Sequence, residues 1–215
     1  MTNEAARKET INTYNRAAKR YQEKFMDMDL YNDTFDTFCN LVVKSDAHIL
    51  EAATGPGNIT RYLLSKRPDF KIFGIDLAAN MIELARKNNP SAEFRVMDCR
   101  DIGTIRRKFD AVMCGFCFPY LSKPEVKNFI KNISEKLNPS GIFYVSTMEG
   151  EYEKSGFETT SFGGNDRIFI YYHQAGFLKD CLHDSGFEVI DVQRKDYPES
   201  DGSFSTDLII LSAKK

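Results

Sequence analysis

The chain has 215 residues, of which 42% are hydrophobic, and its formal net charge at pH 7 is -2. This length supports one sizeable hydrophobic core and favours a single domain over two. The mildly acidic balance gives no basic surface that would attract a polyanion, so we expect neither nucleic acid nor an anionic membrane as a partner. The expected partner is a small molecule.

Targeting features and cysteine usage indicate the cellular compartment. No stretch approaches the ~18 consecutive apolar residues of a membrane-spanning helix, and residues 1–20 lack the apolar core of a signal peptide. The cysteine count is odd and the chain is too long to need disulfides, so reduced thiols and a cytoplasmic location are expected. The five cysteines are Cys39, Cys99, Cys114, Cys117 and Cys181.

The first forty-odd residues are predicted to form one or two amphipathic helices that act as a lid or flank. Apolar side chains recur there at helical spacing, from Ile11 and Tyr14 to Phe25. From residue 47 the pattern changes to short apolar runs, each followed by a helical segment, which is typical of strands buried on both faces of a parallel sheet. These strands are predicted at about 47–52, 71–76, 92–97, 109–114 and 141–147.

One helix is marked clearly in the sequence, at residues 123–137. Ser122 and Glu125 match a capping box, Pro124 stands in the first turn, and apolar residues from Val126 to Leu137 form a stripe for burial. Residues 138–141 are predicted to form a turn that ends this helix before the fifth strand.

The regular pattern lapses over residues 148–172, which are too polar and glycine-rich for a core element and longer than an ordinary connection. We expect this insertion to carry function on the substrate side. A helix at 172–185 with a stop at Gly186 follows, and then strands at 187–193 and 205–213, which a short link forces to run antiparallel. The chain is thus predicted to form one domain, 1–215. Its segments are the N-terminal helices at 1–44, the alternating strands and helices at 45–147, the insertion at 148–172, and the C-terminal helix and hairpin at 173–215.

A short turn follows the first predicted strand and contains Gly55 and Gly57. Two glycines let a ligand approach the backbone closely, and the following helix offers unpaired N–H groups at its N-terminus. By itself, this pattern occurs in a simple tight turn about as often as in a ligand-binding turn.

Acidic residues accompany three successive strands at the same sheet edge. Glu51 ends the first strand, Asp76 follows Gly57 by 19 residues, close to the spacing of about 20 for an acid that binds ribose hydroxyls, and Asp98 ends the third strand. Each aspartate by itself could merely cap the next helix. The three acids together favour a bound ligand.

From residue 14 onward the chain resembles the class I S-adenosylmethionine (SAM) dependent methyltransferases. The resemblance rests on residues 51–57, with Ala53 in place of the first motif glycine, on 74–76 with Met81, and on 96–98, 109–112 and 137–141. Tyr14 and Tyr21 are similar to an aromatic pair that closes over the cofactor in that family. Because alanine disfavours positive φ, the substitution at Ala53 raises a question about the backbone there.

The resemblance implies a Rossmann-like α/β/α sandwich with a seven-stranded sheet in the order 3-2-1-4-5-7-6, strand seven antiparallel. It implies SAM as cofactor and S-adenosylhomocysteine (SAH) as product, with residues 45–147 as the SAM-binding half. Gly55 and Gly57 would bound the methionyl part, Glu51 would steer its ammonium group, and Asp76 would hold the ribose. The full predicted set of cofactor contacts is Tyr14, Tyr21, Glu51, Ala53, Gly55, Gly57, Asp76, Leu77, Met81, Asp98, Cys99 and Cys114.

Methyl transfer from a sulfonium is an in-line displacement, so the protein mainly has to position the acceptor. If the acceptor carries a proton, His173 and Tyr120 are the candidate catalytic residues, because they flank the expected pocket. The alternative readings are a surface or capping role for His173 and a pocket wall for Tyr120. Cys114 and Cys117 match Cys-x-x-Cys, but the buried strand before them disfavours a redox pair, and no further ligands suggest a metal site.

Three other functions compete with a small-molecule methyltransferase. An NAD(P)-dependent oxidoreductase is disfavoured because Thr60 stands where a dinucleotide site wants glycine or alanine. A catalytically silent SAM-binding regulator stays open, whereas a macromolecular methyltransferase is weakened by the acidic balance. The acceptor, its accepting atom and the choice between monomer and homodimer are not determined by the sequence.

Overall fold

A seven-stranded sheet organises the chain, with helices on both faces. The structure is a computed structural model that describes residues 3–159, 166–199 and 202–215. Its helices are α1 (Asn3–Phe25), α2 (Asn32–Leu41), α3 (Asn58–Lys66), α4 (Ala79–Asn88), α5 (Lys123–Lys136) and α6 (Ala175–Asp184). Its strands are β1 (His48–Ala52), β2 (Lys71–Asp76), β3 (Glu93–Val96), β4 (Phe109–Gly115), β5 (Leu137–Met148), β6 (Gly156–Thr159), β7 (Arg167–Ile170), β8 (Phe187–Pro198) and β9 (Phe204–Lys214).

The strand order confirms the predicted topology. The large sheet runs β3-β2-β1-β4-β5-β9-β8, and β9 pairs antiparallel with both β5 and β8. The other pairs, from β3 to β5, are parallel. With β8 and β9 counted as the sixth and seventh strands, this is the expected order 3-2-1-4-5-7-6. The carboxyl ends of β1 to β4 therefore meet at one edge, where a ligand is expected to bind.

Apolar side chains cover both faces of the sheet, as the near-continuous apolar strand sequences predict. Phe143 packs with Phe129 and Ile130 of α5 on one face, in a cluster that also receives α6. On the other face Tyr144 packs with Phe38 of α2, in a cluster that includes Leu63 of α3. The core thus lies in two layers, and α2 forms part of the second, whereas α1 packs in a separate small cluster with Ala78 and Met81 at the start of α4.

The helix predicted from the capping box begins and ends within one residue of its expected bounds. Ser122 and Glu125 cap α5 reciprocally, and the Ser122 N–H donates to Glu125 Oε2 over 2.7 Å. The predicted turn at 138–141 lies inside β5, because β4 pairs with Leu137 before the register shifts. Ser140 has φ of +59° there. The turn prediction was wrong in that respect: the chain forms a bulge within the strand.

The segment 148–172 contains regular structure that the sequence analysis did not predict. β6 and β7 form a two-stranded antiparallel ribbon. Its backbone groups are held by α1: Thr10 Oγ1 accepts from the Phe169 N–H over 3.0 Å, and Thr13 Oγ1 donates to the Arg167 carbonyl over 3.1 Å. Helix α6 begins at Ala175, three residues later than predicted, because residues 171–173 continue past the ribbon to the edge of β5.

Candidate active site

A cavity of about 380 Å³ lies at the carboxyl edge of the parallel strands. Its floor consists of the residues that follow β1, β2, β3 and β4, and its roof consists of α1 and the end of β7. The predicted cofactor residues that line it are Tyr14, Tyr21, Ala53, Gly55, Asp76, Leu77, Met81, Asp98 and Cys99. Glu51, Gly57 and Cys114 do not contribute to its wall.

The turn after β1 adopts left-handed backbone conformations at three positions. Ala53 has φ of +56°, Gly55 +54° and Gly57 +80°. Ala53 therefore takes the conformation that its side chain disfavours, which costs about 1–2 kcal/mol. Gly55 faces the cavity, whereas a Cβ at Gly57 would lie 2.4 Å from Asn89 Nδ2. Gly57 is required by packing between α3 and α4, a reason different from the predicted approach of a ligand.

Glu51 lies directly below this turn and is only 1% exposed. Its Oε2 accepts a hydrogen bond from Thr60 Oγ1 of α3, and its Oε1 is buried without a hydrogen-bond partner. Burial raises the pKa of Glu51 to about 7, partly offset by hydrogen bonds from Thr60 and Thr54. An unpartnered buried carboxylate oxygen fits a cationic ligand group, which would complete its hydrogen bonding.

Asp76 ends β2 and faces the cavity. Its Oδ2 accepts from the Gly55 N–H over 2.9 Å and its Oδ1 accepts from the Ala78 N–H over 2.8 Å. Asp76 thus both caps the start of α4 and points at the ligand edge, so the two readings of this acid are compatible. Burial raises its pKa. Leu77 and Met81 line the same part of the wall.

Asp98 takes part in an ion-pair network at the end of β3. It accepts from the Arg100 backbone N–H over 2.9 Å and pairs with Arg100 Nη1 over 3.0 Å. Arg100 Nε also pairs with Glu125 Oε1 over 2.6 Å, and its Nη2 donates to the Tyr120 carbonyl over 3.0 Å. The guanidinium therefore fixes Asp98, the start of α5 and the turn after β4 relative to one another.

Tyrosine side chains close the cavity from above. The hydroxyl groups of Tyr14 on α1 and Tyr120 after β4 are hydrogen-bonded to each other, and the Tyr14 ring meets that of Tyr21 edge to face, with 5.9 Å between centroids. Burial raises the pKa of Tyr120 to about 12 and raises that of Tyr14 as well. Both phenols hold their protons at neutral pH and therefore serve as hydrogen-bond donors and walls.

His173 lies outside the cavity wall, contrary to its predicted place at the pocket. It is fully buried, and its Nε2 lies 3.1 Å from the Phe118 carbonyl and 3.0 Å from the Leu121 carbonyl. Since both partners are acceptors, Nε2 carries the proton, and Nδ1 is buried without a partner. Burial lowers the pKa of His173. These contacts favour a structural role that anchors the turn after β4.

The cysteines are free thiols, and two of them reach the cavity. Cys99 and Cys117 line its wall, whereas Cys114 is fully buried in the core, because it points to the layer formed by α5 and α6. The position of Cys114 does not support its predicted cofactor contact, and Cys117, which was not predicted as a contact, lies on the wall. Among the residues that the structure describes, no cluster of three or more metal-ligating side chains occurs.

Several wall residues were not singled out from the sequence as site residues. Arg7 and Ile11 come from α1, and Phe116 follows β4 with φ of +54°, its N–H bonded to Ser146. Arg7 and Ile11 precede Tyr14 by seven and three residues, on the same helical stripe, which is a signal that could have found them. Phe169 and Tyr171, from the segment 148–172, also line the cavity.

Comparison with known proteins finds similarity to methyltransferases. A family described as "Methyltransferase domain" matches residues 49–141, the segment that contains the turn after β1, Asp76 and Asp98. This segment of the chain is similar to methyltransferase domains. A malonyl-[acyl-carrier protein] O-methyltransferase from Acetivibrio thermocellus is 28% identical over 137 residues, which are 63% of this chain and 47% of that protein. The chain spans about a third to a half of the length of the first curated relatives that it matches.

Solved structures show the same fold. A SAM-dependent methyltransferase from Clostridium acetobutylicum superposes with a TM-score of 0.70 at 18% identity, over 94% of this chain and 98% of that one. Magnesium protoporphyrin IX methyltransferase from Synechocystis PCC 6803, solved with bound SAM, gives a TM-score of 0.63 at 14% identity, over 89% and 85% of the two chains. Within the described residues, no helix is long and apolar enough to span a membrane.

Proposed function

We propose that this protein transfers a methyl group from SAM to a small-molecule acceptor. The observation that carries the proposal is a single cavity wall that joins the turn at Gly55, Asp76 at the end of β2 and Asp98 after β3, within the segment that matches the methyltransferase family. The same family match favours a methyltransferase over the NAD(P)-dependent alternative.

The residues present fit the cofactor. Glu51 Oε1 is a buried acceptor without a partner below the turn, suited to the ammonium group of the methionyl part. Asp76 would hold the ribose hydroxyls, Leu77 and Met81 would flank the adenine, and Asp98, oriented by Arg100, would accept from its amino group. Tyr14 and Tyr21 would close over it from α1.

When bound, SAM supplies an electrophilic methyl group that the acceptor's nucleophile attacks in line with the departing sulfide. The protein's contribution is positioning and exclusion of water, which can supply about 7–11 kcal/mol of the barrier. Tyr14 and Tyr120 keep their protons, and the carboxylates of Asp98 and Glu125 are paired with Arg100. We therefore assign no general base among these four groups, and propose an acceptor that is nucleophilic without removal of a proton by the protein.

We also propose that the protein acts in the cytoplasm as a monomer or homodimer. All five cysteines are free thiols, consistent with a reducing compartment. The net charge of -2 supports a small acceptor over a polyanion.

Turnover tests the activity. The protein is incubated with SAM and pools of small metabolites, and SAH formation is followed by mass spectrometry. Acceptor-dependent SAH production that the Asp76→Ala variant lacks would support the proposal. SAM binding without turnover on any pool would favour the silent regulator instead.

A further inference from the structure

We infer that the acceptor carries a carboxylate on an apolar or aromatic body, and that Arg7 binds that carboxylate. This inference rests on the proposed function and adds the class of acceptor to it. The argument starts from the charges of the cavity wall and from the position of Arg7 on the roof.

Two cationic side chains line the cavity, Arg7 and Arg100. Arg100 is neutralised, with Asp98 3.0 Å from Nη1 and Glu125 2.6 Å from Nε. Arg7 is half-buried, and among the described residues no side chain forms an ion pair or hydrogen bond with it. Glu4, three residues earlier and also on the wall, is exposed and is not within ion-pair distance of it. A half-buried guanidinium without a partner can form charge-assisted hydrogen bonds with an anionic ligand.

The contacts of α1 place Arg7 beside β7. Thr13 is hydrogen-bonded to Arg167, and Thr10, three residues earlier on α1, is hydrogen-bonded to Phe169, two residues later in the chain. If this spacing continues, Arg7, three residues before Thr10, lies opposite Tyr171, two residues after Phe169. Tyr171 lines the cavity, and its N–H donates to the Pro119 carbonyl over 2.8 Å, above the turn after β4.

This part of the cavity lies apart from the cofactor motifs. Arg7 precedes Tyr14 by seven residues, which is about 10 Å along a helix. The same wall includes Ile11 of α1 and the aromatic pair Phe169 and Tyr171, whose ring centroids are 4.9 Å apart. None of these side chains belongs to the residues after β1, β2 or β3 that the family uses for SAM. An acceptor with an apolar body and one anionic group complements this part of the cavity, which combines apolar side chains with one guanidinium.

Calorimetry on SAH-loaded protein tests the inference with matched pairs of carboxylates and amides: benzoate and benzamide, 2-naphthoate and 2-naphthamide, octanoate and octanamide. The variants are Arg7→Gln, Arg7→Lys and, as control, Arg106→Gln, which replaces an exposed arginine outside this cavity. At least one carboxylate should bind about tenfold or more tightly than its amide to the unsubstituted protein and to the control. Arg7→Gln should lose that preference, and Arg7→Lys should keep part of it.

The affinity for SAH separates the possible failures. If SAH binds equally to the unsubstituted protein and to Arg7→Gln, but no pair shows a charge preference or the preference survives in Arg7→Gln, the inference is wrong and the proposed function stands. If Arg7→Gln weakens SAH itself, Arg7 belongs to the cofactor site and the inference is overturned. If SAH fails to bind to the unsubstituted protein, the proposed function and this inference both fall.

Discussion

Replacing Glu51 with glutamine should remove a pH dependence from the stability of the protein. Burial raises the pKa of Glu51 from an ordinary 4.5 to about 7 in the folded state. Between these values the folded protein holds a proton that the unfolded chain has released, so the free energy of unfolding falls as the pH rises from 4.5 to 7. A pKa raised by about 2.5 corresponds to a loss of roughly 3 kcal/mol at most.

Urea unfolding between pH 5 and pH 8 measures this effect. Glutamine keeps an oxygen that accepts from Thr60, and it carries no charge at any of these pH values. The Glu51→Gln variant should therefore gain stability relative to the unsubstituted protein as the pH rises, by about 2–3 kcal/mol from pH 5 to pH 8. Glu83→Gln, at an exposed position of α4, serves as the matched control.

The comparison isolates one group, because Asp207, whose pKa burial raises to about 6, titrates identically in all three proteins. Parallel pH profiles for Glu51→Gln and the unsubstituted protein would refute the reasoning. The same carboxyl should affect ligand binding: SAM should bind more tightly at pH 8 than at pH 6, because its ammonium group favours ionised Glu51. That pH dependence should be absent from Glu51→Gln.

Three further substitutions test the backbone and the buried histidine. Ala53→Gly should raise the free energy of unfolding by up to about 1 kcal/mol, because relief of the positive φ outweighs the entropic cost of glycine. Gly57→Ala should lower it by about 1–3 kcal/mol through the clash with Asn89, and urea midpoints that do not move in these directions would contradict both. Because the pKa of His173 is lowered from 6.5, stability should fall as the pH drops below about 6.5; His173→Gln should lessen that fall and the exposed His183→Gln should not.

The positions of the parallel strands were predictable because each buried strand carries a continuous apolar run, followed by helical periodicity, whereas the order of the strands was predicted from the family resemblance. The start of α5 was also predictable, because Ser122 and Glu125 form a capping box in which the side chain of each residue bonds to the backbone N–H of the other. The ribbon of β6 and β7 was not predictable from local pattern. Its strands have only four residues each, and α1, more than 140 residues away in the sequence, supplies hydrogen bonds to β7.

The cofactor wall was largely predictable, whereas the acceptor side was not. Asp76 ends β2 and Asp98 lies two residues past the end of β3, so the sequence places both at the ligand edge, and the structure puts both on the cavity wall. The roles of His173 and Cys114 depended on which way their side chains point. Cys114 lies in β4, whose two faces are both buried, and His173 lies between β7 and α6, so neither stands in an amphipathic pattern that would show the direction of its side chain. Both side chains are buried.

Calorimetric titration with SAM, SAH and NAD(P)H tests the central claim most directly, using the unsubstituted protein, Asp76→Ala and the exposed control Asp101→Ala. We expect micromolar binding of SAM and SAH to the unsubstituted protein and the control. Asp76→Ala should bind at least about tenfold more weakly, because a hydrogen bond to a charged group contributes about 1.5–3 kcal/mol. No binding of either SAM species, or a preference for NAD(P)H, would contradict the assignment of this cavity to SAM.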